Sequence, residues 1–201
     1  MSLKKPPKNN PPIILITGAS GAGKSTVADE LFKRQEPAVA RFITCTTRAK
    51  RPGERHGKDY WFLSVTDFKR KIQRHSFYEW ASVYGNYYGS AKRELNRTLK
   101  GKNPVILVVD IQGAHAIKQA HPEAFAVFID APTKELKQRL IDRGCYSDDL
   151  NQRLARIATE KRYRPEADLV ITNKNGYLER TLTKTAEAIR TVQARSVQAR
   201  S

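Results

Sequence analysis

The chain has 201 residues, of which 39% are hydrophobic, and its mean hydropathy is −0.61. No apolar run approaches the roughly 18 residues of a membrane-spanning helix, which excludes such a span. Lys and Arg number 37 against 20 Asp and Glu, and the net charge of +17 indicates anionic partners. Nucleic acid, an acidic membrane surface and phosphorylated small molecules all fit that charge.

The cysteines and the two ends of the chain carry further information. Cys45 and Cys145 lie a hundred residues apart, which excludes a disulfide framework or a zinc cluster and favours a reducing, cytoplasmic setting. Residues 1–12 are rich in proline and lysine, predict a disordered lead, and contain no export signal. The pentamer VQARS occurs at 192–196 and again at 197–201, so we interpret 193–201 as a tail, either a cloning scar or a helix extension.

Strands and helices alternate along most of the chain. Short apolar runs predict buried strands at 13–16, 105–109, 125–129 and 169–172. Helices are predicted at 25–34, 91–100, 112–119, 133–143, 151–162 and 177–192. Aromatic and β-branched segments at 42–47, 60–63, 77–83 and 87–90, around a helix at 66–74, indicate a small antiparallel insertion. The pattern predicts an α/β core over 13–40 and 91–192, with a parallel sheet covered on both faces, and an insertion over 41–90.

A glycine-rich loop joins the first predicted strand to the first helix. Its sequence, GASGAGKS at 18–25, matches the P-loop pattern G-x-x-x-x-G-K-[ST]. In such a loop backbone N–H groups form an anion nest, Lys24 reaches the β- and γ-phosphates, and the Ser25 hydroxyl holds Mg²⁺. The strand–loop–helix context argues against a chance glycine-rich turn. We therefore expect the protein to bind a nucleoside triphosphate.

Five further segments narrow the class of nucleotide-binding protein to which the chain can belong. They read TCTTRAKRPGERHGKDY at 44–60, FYEWA at 77–81, GNYYGS at 85–90, DIQG at 110–113 and RLIDRG at 139–144. With the loop, they resemble the guanylate kinase family of P-loop nucleoside monophosphate kinases, from about residue 12 to about residue 190. The resemblance implies a three-layer core, a GMP-binding insertion and an arginine-rich lid over about 139–153.

The resemblance also implies an activity. Family members transfer the γ-phosphoryl group of Mg-ATP to GMP or dGMP, giving ADP and GDP, as part of purine metabolism. The implied partners are these nucleotides, with Mg²⁺ as cofactor, no membrane, no requirement for nucleic acid, and a monomer or homodimer.

Site residues follow from the same resemblance. Those for ATP are Gly18, Ala19, Ser20, Gly21, Ala22, Gly23, Lys24, Ser25, Thr26, Arg139 and Asn173. Those for GMP are Thr44, Arg48, Arg51, Tyr60, Glu79, Tyr88, Gly89, Ser90 and Asp110. The implied catalytic residues are Lys24, Arg48, Arg143 and Arg153, and the implied metal residues are Ser25 and Asp110.

The chemistry of guanine agrees with these assignments. Guanine presents N1–H and N2–H₂ as adjacent donors, which one ionised carboxylate, that of Glu79, can accept together. Hydroxyls of Thr44 and Ser90 then donate to O6, and adenine would leave such groups unpaired. The acceptor phosphate is already anionic, so transfer needs charge neutralisation and positioning rather than a general base.

Several alternatives stay open at this point. Asp110 fits either a magnesium-bound water or the guanine site, Asn173 fits either adenine or an Asx turn, and the lid arginines fit a solvated helix. The chain departs from the family pattern at three places: Ala19 stands where the family usually has Pro, Val108 where it has Asp, and Lys174-Asn175 where it has an acidic pair. The predicted lid is also one residue shorter than in the family. Rival functions are a phosphopeptide-binding guanylate-kinase-like module, a ribose bisphosphate kinase, and a nucleic-acid-binding P-loop protein without a recognised signature.

Overall fold

The computed structural model describes residues 10–83, 85–142, 144–145 and 147–198. Most of the predicted lead, Arg143 of the predicted lid, and the last three residues of the predicted tail lie outside these ranges. The strands are β1 (Ile13–Gly18), β2 (Ala40–Arg41), β3 (Cys45–Thr46), β4 (Trp61–Phe62), β5 (Phe77–Val83), β6 (Asn86–Ala91), β7 (Val105–Val108), β8 (Phe125–Asp130) and β9 (Leu169–Thr172). The helices are α1 (Lys24–Arg34), α2 (Val65–Gln73), α3 (Lys92–Thr98), α4 (Ile111–Ala120), α5 (Thr133–Asp142), α6 (Ser147–Lys161) and α7 (Leu178–Gln198).

Five strands form a parallel sheet in the order β2-β7-β1-β8-β9. All six residues of β1 are buried, because its side chains alternate between two covered faces. Ile14 and Ile16 pack with α1, α5, α6 and α7, whereas Ile13 and Leu15 pack with α3 and α4. The predicted three-layer α/β core with a parallel sheet is confirmed.

The insertion contains a second, mixed sheet in the order β4-β3-β6-β5. Its β3–β4 pair is parallel, and its β3–β6 and β5–β6 pairs are antiparallel. A small core of its own surrounds Phe68, whose ring stacks on Phe77 at 4.6 Å and on Tyr87 at 5.4 Å. This separate core gives the second sheet a rigid support beside the parallel sheet.

Some boundaries differ from the sequence prediction. The segment 42–47 does not form one strand, because the Phe42 backbone N–H donates to Ile106 of β7 in the parallel sheet, whereas Cys45–Thr46 forms β3 and pairs with β6 in the mixed sheet. The last helix continues to Gln198 rather than ending at residue 192, so the described part of the predicted tail is helical. None of the described helices combines the length and apolar character needed to cross a membrane.

Candidate active site

The P-loop follows the central strand of the parallel sheet. Gly18 has φ of 135°, and a Cβ on it would lie 2.0 Å from the carbonyl oxygen of Ile129 on β8, so only glycine fits there. The Lys24 ammonium donates to the carbonyl oxygens of Gly18 at 2.8 Å and Ala19 at 3.1 Å. The Lys24 side chain therefore folds back onto the backbone of its own loop, at the amino end of α1.

Asn173 supports the loop from behind. Its side chain is 6% exposed, and its amide nitrogen donates to the Ala22 carbonyl oxygen at 2.8 Å. The Thr181 hydroxyl donates to its amide oxygen at 3.1 Å. A Cβ on Gly23 would lie 2.6 Å from the Asn173 amide nitrogen, so loop and amide are in close contact. This amide holds the loop in shape, and its adenine contact stays a prediction.

A cavity of about 290 Å³ lies between the P-loop and the insertion, and residues from both halves of the predicted site line it. Its lining contains eleven of the predicted site residues, namely Ser20, Lys24, Ser25, Thr44, Arg51, Tyr60, Glu79, Tyr88, Gly89, Asp110 and Arg153. Ala81, Val108, Val109, Arg156 and Glu160 complete it. Residues predicted to bind ATP, the phosphoryl donor, and residues predicted to bind GMP, the phosphoryl acceptor, therefore line one cavity.

Two arginines of the insertion are organised by one carboxylate. Glu54 accepts from the Arg48 guanidinium at 2.7 Å through one oxygen and from the Arg51 backbone N–H at 2.8 Å through the other. The hydrogen bond from Arg48 is the main reason that the pKa of Glu54 lies below its ordinary value. Arg48 also lies 5.4 Å over the Tyr60 ring, and burial raises the pKa of the Tyr60 phenol. Glu54 lies inside the motif at 44–60 but was not predicted as a site residue.

Glu79, the acid predicted to bind guanine, lines the cavity. The Ser90 hydroxyl, which is fully buried, donates to one of its oxygens at 2.7 Å. Burial raises the pKa of Glu79 to about 7; the charge of Asp110 adds to that rise, and the Ser90 hydrogen bond opposes it. The hydroxyl of Ser90 has a single hydrogen, so its predicted donation to guanine O6 requires this bond to rearrange.

Asp110 follows β7 and caps α4, where one of its oxygens accepts from the Gly113 backbone N–H at 2.9 Å. Its other oxygen accepts from the Arg156 guanidinium at 3.0 Å. Arg156 also lies 3.3 Å from Glu160, and Glu160 accepts from the Ser20 backbone N–H at 2.7 Å. Arg156 and Glu160 were not predicted as site residues from the sequence. Their spacing from Arg153, three and seven residues along one predicted helix, was the available signal.

Two further arginines were predicted as site residues and are described by the structure, namely Arg139 and Arg153. Arg139 donates to Glu135 at 3.1 Å, to the carbonyl oxygen of Asn173 at 2.8 Å and to the side-chain oxygen of Asn175 at 2.7 Å. Arg139 therefore fixes the turn after β9 and does not line the cavity. Arg153 does line it.

Oxygen donors for a divalent cation face the same cavity. The Ser25 hydroxyl at the start of α1 and the Asp110 carboxylate are both hard ligands of the kind that Mg²⁺ prefers. Among the described residues, no group of three or more His, Cys, Asp or Glu could hold a metal without help. That donor set fits Mg²⁺ shared with substrate phosphates, and it does not fit an all-protein metal cage.

The central P-loop, the parallel sheet and the cavity shared with a second sheet define an α/β P-loop nucleotide-binding protein. A family model described as guanylate kinase matches residues 9–192. The chain belongs to the guanylate kinase family. It is 39% identical over 163 residues to the guanylate kinase of Shewanella oneidensis, covering 80% of this chain and 79% of that protein.

Other relatives and a solved structure agree. The chain is 37% identical over 187 residues to the guanylate kinase of Symbiobacterium thermophilum, covering 92% of this chain and 87% of that protein. The crystal structure of guanylate kinase from Anaplasma phagocytophilum superposes with a TM-score of 0.73 at 28% identity, covering 92% of this chain and 87% of that one. The family resemblance drawn from the sequence is confirmed.

Proposed function

We propose that the protein is a nucleoside monophosphate kinase that transfers the γ-phosphoryl group of ATP to GMP or dGMP, giving ADP and GDP or dGDP. One observation carries this proposal: a single cavity is lined by Lys24 of the P-loop and by Glu79 and Arg51 of the insertion. The residues assigned to a triphosphate and those assigned to a monophosphate with its base therefore line the same space.

Guanine recognition is assigned to Glu79. Its ionised carboxylate would accept from both N1–H and N2–H₂ of the base, with Thr44 and Ser90 supplying hydroxyls for O6. Adenine has an amino group at position 6 and lacks the 2-amino group, so AMP would leave these groups unpaired. Sites that depend on such hydrogen bonds discriminate by several orders of magnitude.

Phosphate binding is assigned to the basic residues of both walls. Arg48, Arg51, Tyr60 and Tyr88 would hold the GMP phosphate, and the support for this is the Glu54 carboxylate, which orders the Arg48 guanidinium and the backbone at Arg51. The loop amides and Lys24 would hold the triphosphate. Arg153, which also lines the cavity, would neutralise charge on the moving phosphoryl group, as we also propose for Arg143.

Transfer breaks the bond between the γ-phosphorus and its bridging oxygen, which leaves on ADP, and forms a bond to an anionic oxygen of GMP. That oxygen needs no deprotonation, so no side chain is assigned as a general base. Mg²⁺, held by Ser25 and through Asp110, would supply electrostatic stabilisation of the phosphate oxygens. The residues of the chain would bind and orient the two nucleotides and neutralise their charge.

An acceptor panel tests the proposal. ADP release from Mg-ATP is measured with GMP, dGMP, AMP, CMP, UMP and no acceptor. We expect release with GMP and dGMP at a kcat of about 1–10³ s⁻¹, and none with AMP. Turnover with AMP equal to that with GMP would overturn the acceptor assignment. GMP binding without any turnover would instead support a binding module.

A further inference from the structure

Arg156 lies at the junction of the two nucleotide sites. Its guanidinium donates to Asp110 at 3.0 Å, on the acceptor side, and lies 3.3 Å from Glu160, whose other oxygen accepts from the P-loop N–H of Ser20 at 2.7 Å. A continuous path of polar contacts therefore runs from the amino end of α4, across α6, to the phosphate loop. Two of its three contacts join residues far apart in sequence.

This arrangement is more than a surface ion pair. The pairing of Arg156 with Glu160, four residues apart, is common on helix surfaces, but Asp110 belongs to a different element. Glu160 is only 8% exposed and is therefore not a solvated acid. Arg153, Arg156 and Glu160 recur at helical spacing and line the same cavity, so α6 presents one functional face to the site.

Charge explains why this arginine matters. Three carboxylates line the cavity, those of Glu79, Asp110 and Glu160, and incoming phosphates are anionic as well. Arg156 forms ion pairs with the last two of them. Without it, two carboxylates would face the phosphates at a partly buried site, where charge repulsion is screened less than in open solvent.

Both ends of the contact path are groups that nucleotides would use. A triphosphate binds loop amides, so it competes with the Glu160 carboxylate near Ser20. GMP or its magnesium-bound water would engage Asp110 from the other side. Each event weakens one end of the contacts that hold Arg156, so the first nucleotide to bind removes an obstacle for the second.

We propose that Arg156 is a positioning residue that couples the acceptor and donor sites, so that ATP and GMP each favour the binding of the other. This inference rests on the proposed function. The guanidinium, which can contact two carboxylates at once, transmits the coupling, and a side chain that contacts neither of them does not.

Calorimetric titration of GMP into the full chain, with and without Mg²⁺ and the non-hydrolysable analogue AMP-PNP, measures this coupling. In the wild-type protein AMP-PNP should tighten GMP binding at least about five-fold. In Arg156→Met the ratio of GMP affinities with and without AMP-PNP should fall below about two-fold. Arg156→Lys keeps the positive charge but not the planar guanidinium, so its ratio should lie between those of the wild type and Arg156→Met. Arg162→Met, at an exposed arginine just after α6, is the matched control and should keep the wild-type ratio.

A second route covers the case in which Arg156→Met folds poorly. Glu160→Gln weakens the other end of the same contacts, so it should lower the ratio as well, and adding Arg156→Lys to it should lower the ratio little further. A wild-type ratio near one, or the full ratio in Arg156→Met, overturns the inference while GMP-dependent ADP release stands. A wild-type protein that neither binds GMP nor turns it over overturns the proposed function and this inference together.

Discussion

Replacing Glu79 with Gln removes one charge from the acceptor wall and leaves its shape nearly unchanged. The carboxylate accepts from the Ser90 hydroxyl at 2.7 Å and lines the cavity that P-loop residues also line. A glutamine offers one acceptor oxygen and one NH₂ group, and that NH₂ would face a donor of the guanine. The variant therefore loses one charged hydrogen bond and leaves two donors opposed.

A hydrogen bond to a charged group contributes about 1.5–3 kcal/mol, which is a loss of about 10- to 150-fold in kcat/KM for GMP. Overall stability should not fall with it. Burial raises the pKa of Glu79 to about 7, so the folded protein carries a carboxylate that is poorly solvated when ionised. The neutral amide avoids that desolvation, and above pH 7 the melting temperature should be equal or higher.

The assay is coupled ADP release at saturating Mg-ATP with varied GMP. Glu187→Gln, an exposed acid on α7, is the matched control and should behave as wild type. The affinity of Glu79→Gln for ATP, measured separately, should be unchanged. If kcat/KM for GMP stays within two-fold of wild type while the variant is folded, Glu79 does not bind the base.

Four other outcomes are expected. GMP should bind more weakly below about pH 7, approaching ten-fold per pH unit, because binding requires ionised Glu79; Glu79→Gln should lose this dependence, and titrations from pH 6 to 8.5 check it. Because that pKa is raised from 4.5, the contribution of Glu79 to stability is greatest below pH 4.5 and is lost as pH rises through 7, which unfolding of both proteins across that window would detect. Lys24→Ala should lower kcat by about 10²–10³-fold with every acceptor, and a variant with most of its rate would contradict the P-loop assignment. Asn173→Ala should lower the free energy of unfolding by about 1–3 kcal/mol in urea titrations, because the Ala22 carbonyl loses its side-chain donor and the Thr181 hydroxyl keeps only the Tyr177 carbonyl as acceptor; a change below about 0.5 kcal/mol would show that this contact contributes little.

The core was predictable because its signals are local. The apolar run 13–16 followed by the glycine-rich loop specifies a strand, a turn and a helix within some twenty residues, and β1 with α1 forms there. The residues of the acceptor wall came from ordered motifs, and the cavity lining includes Thr44, Arg51 and Glu79 among them.

The strand segment at 42–47 shows why other features could not be predicted. Its residues are suited to strands throughout, yet the Phe42 backbone N–H donates to Ile106 of the parallel sheet and Cys45 pairs with Gly89 of the mixed sheet. Strand propensity does not specify the partner, so a change of sheet inside one segment leaves no local trace.

Arg156 was missed for a related reason. Its position on a predicted helix was correct, but its partner Asp110 is 46 residues away in sequence. The same holds for Glu160 and the loop N–H of Ser20, which are 140 residues apart. Only the packing of α6 against the end of β7 and the loop brings these charges together.

The strand order has a consequence for synthesis of the chain. The first two strands, β1 and β2, are not neighbours, because β7 lies between them in the sheet. Ile13 pairs with Val105, and Ile14 pairs with Phe125 on the other side. At about 5–20 residues per second, a ribosome needs on the order of 5–20 s after making β1 to supply its first partner strand. During that time a strand that begins with four consecutive apolar residues has no sheet to join, so nascent chains that stop before β7 should aggregate or bind chaperones.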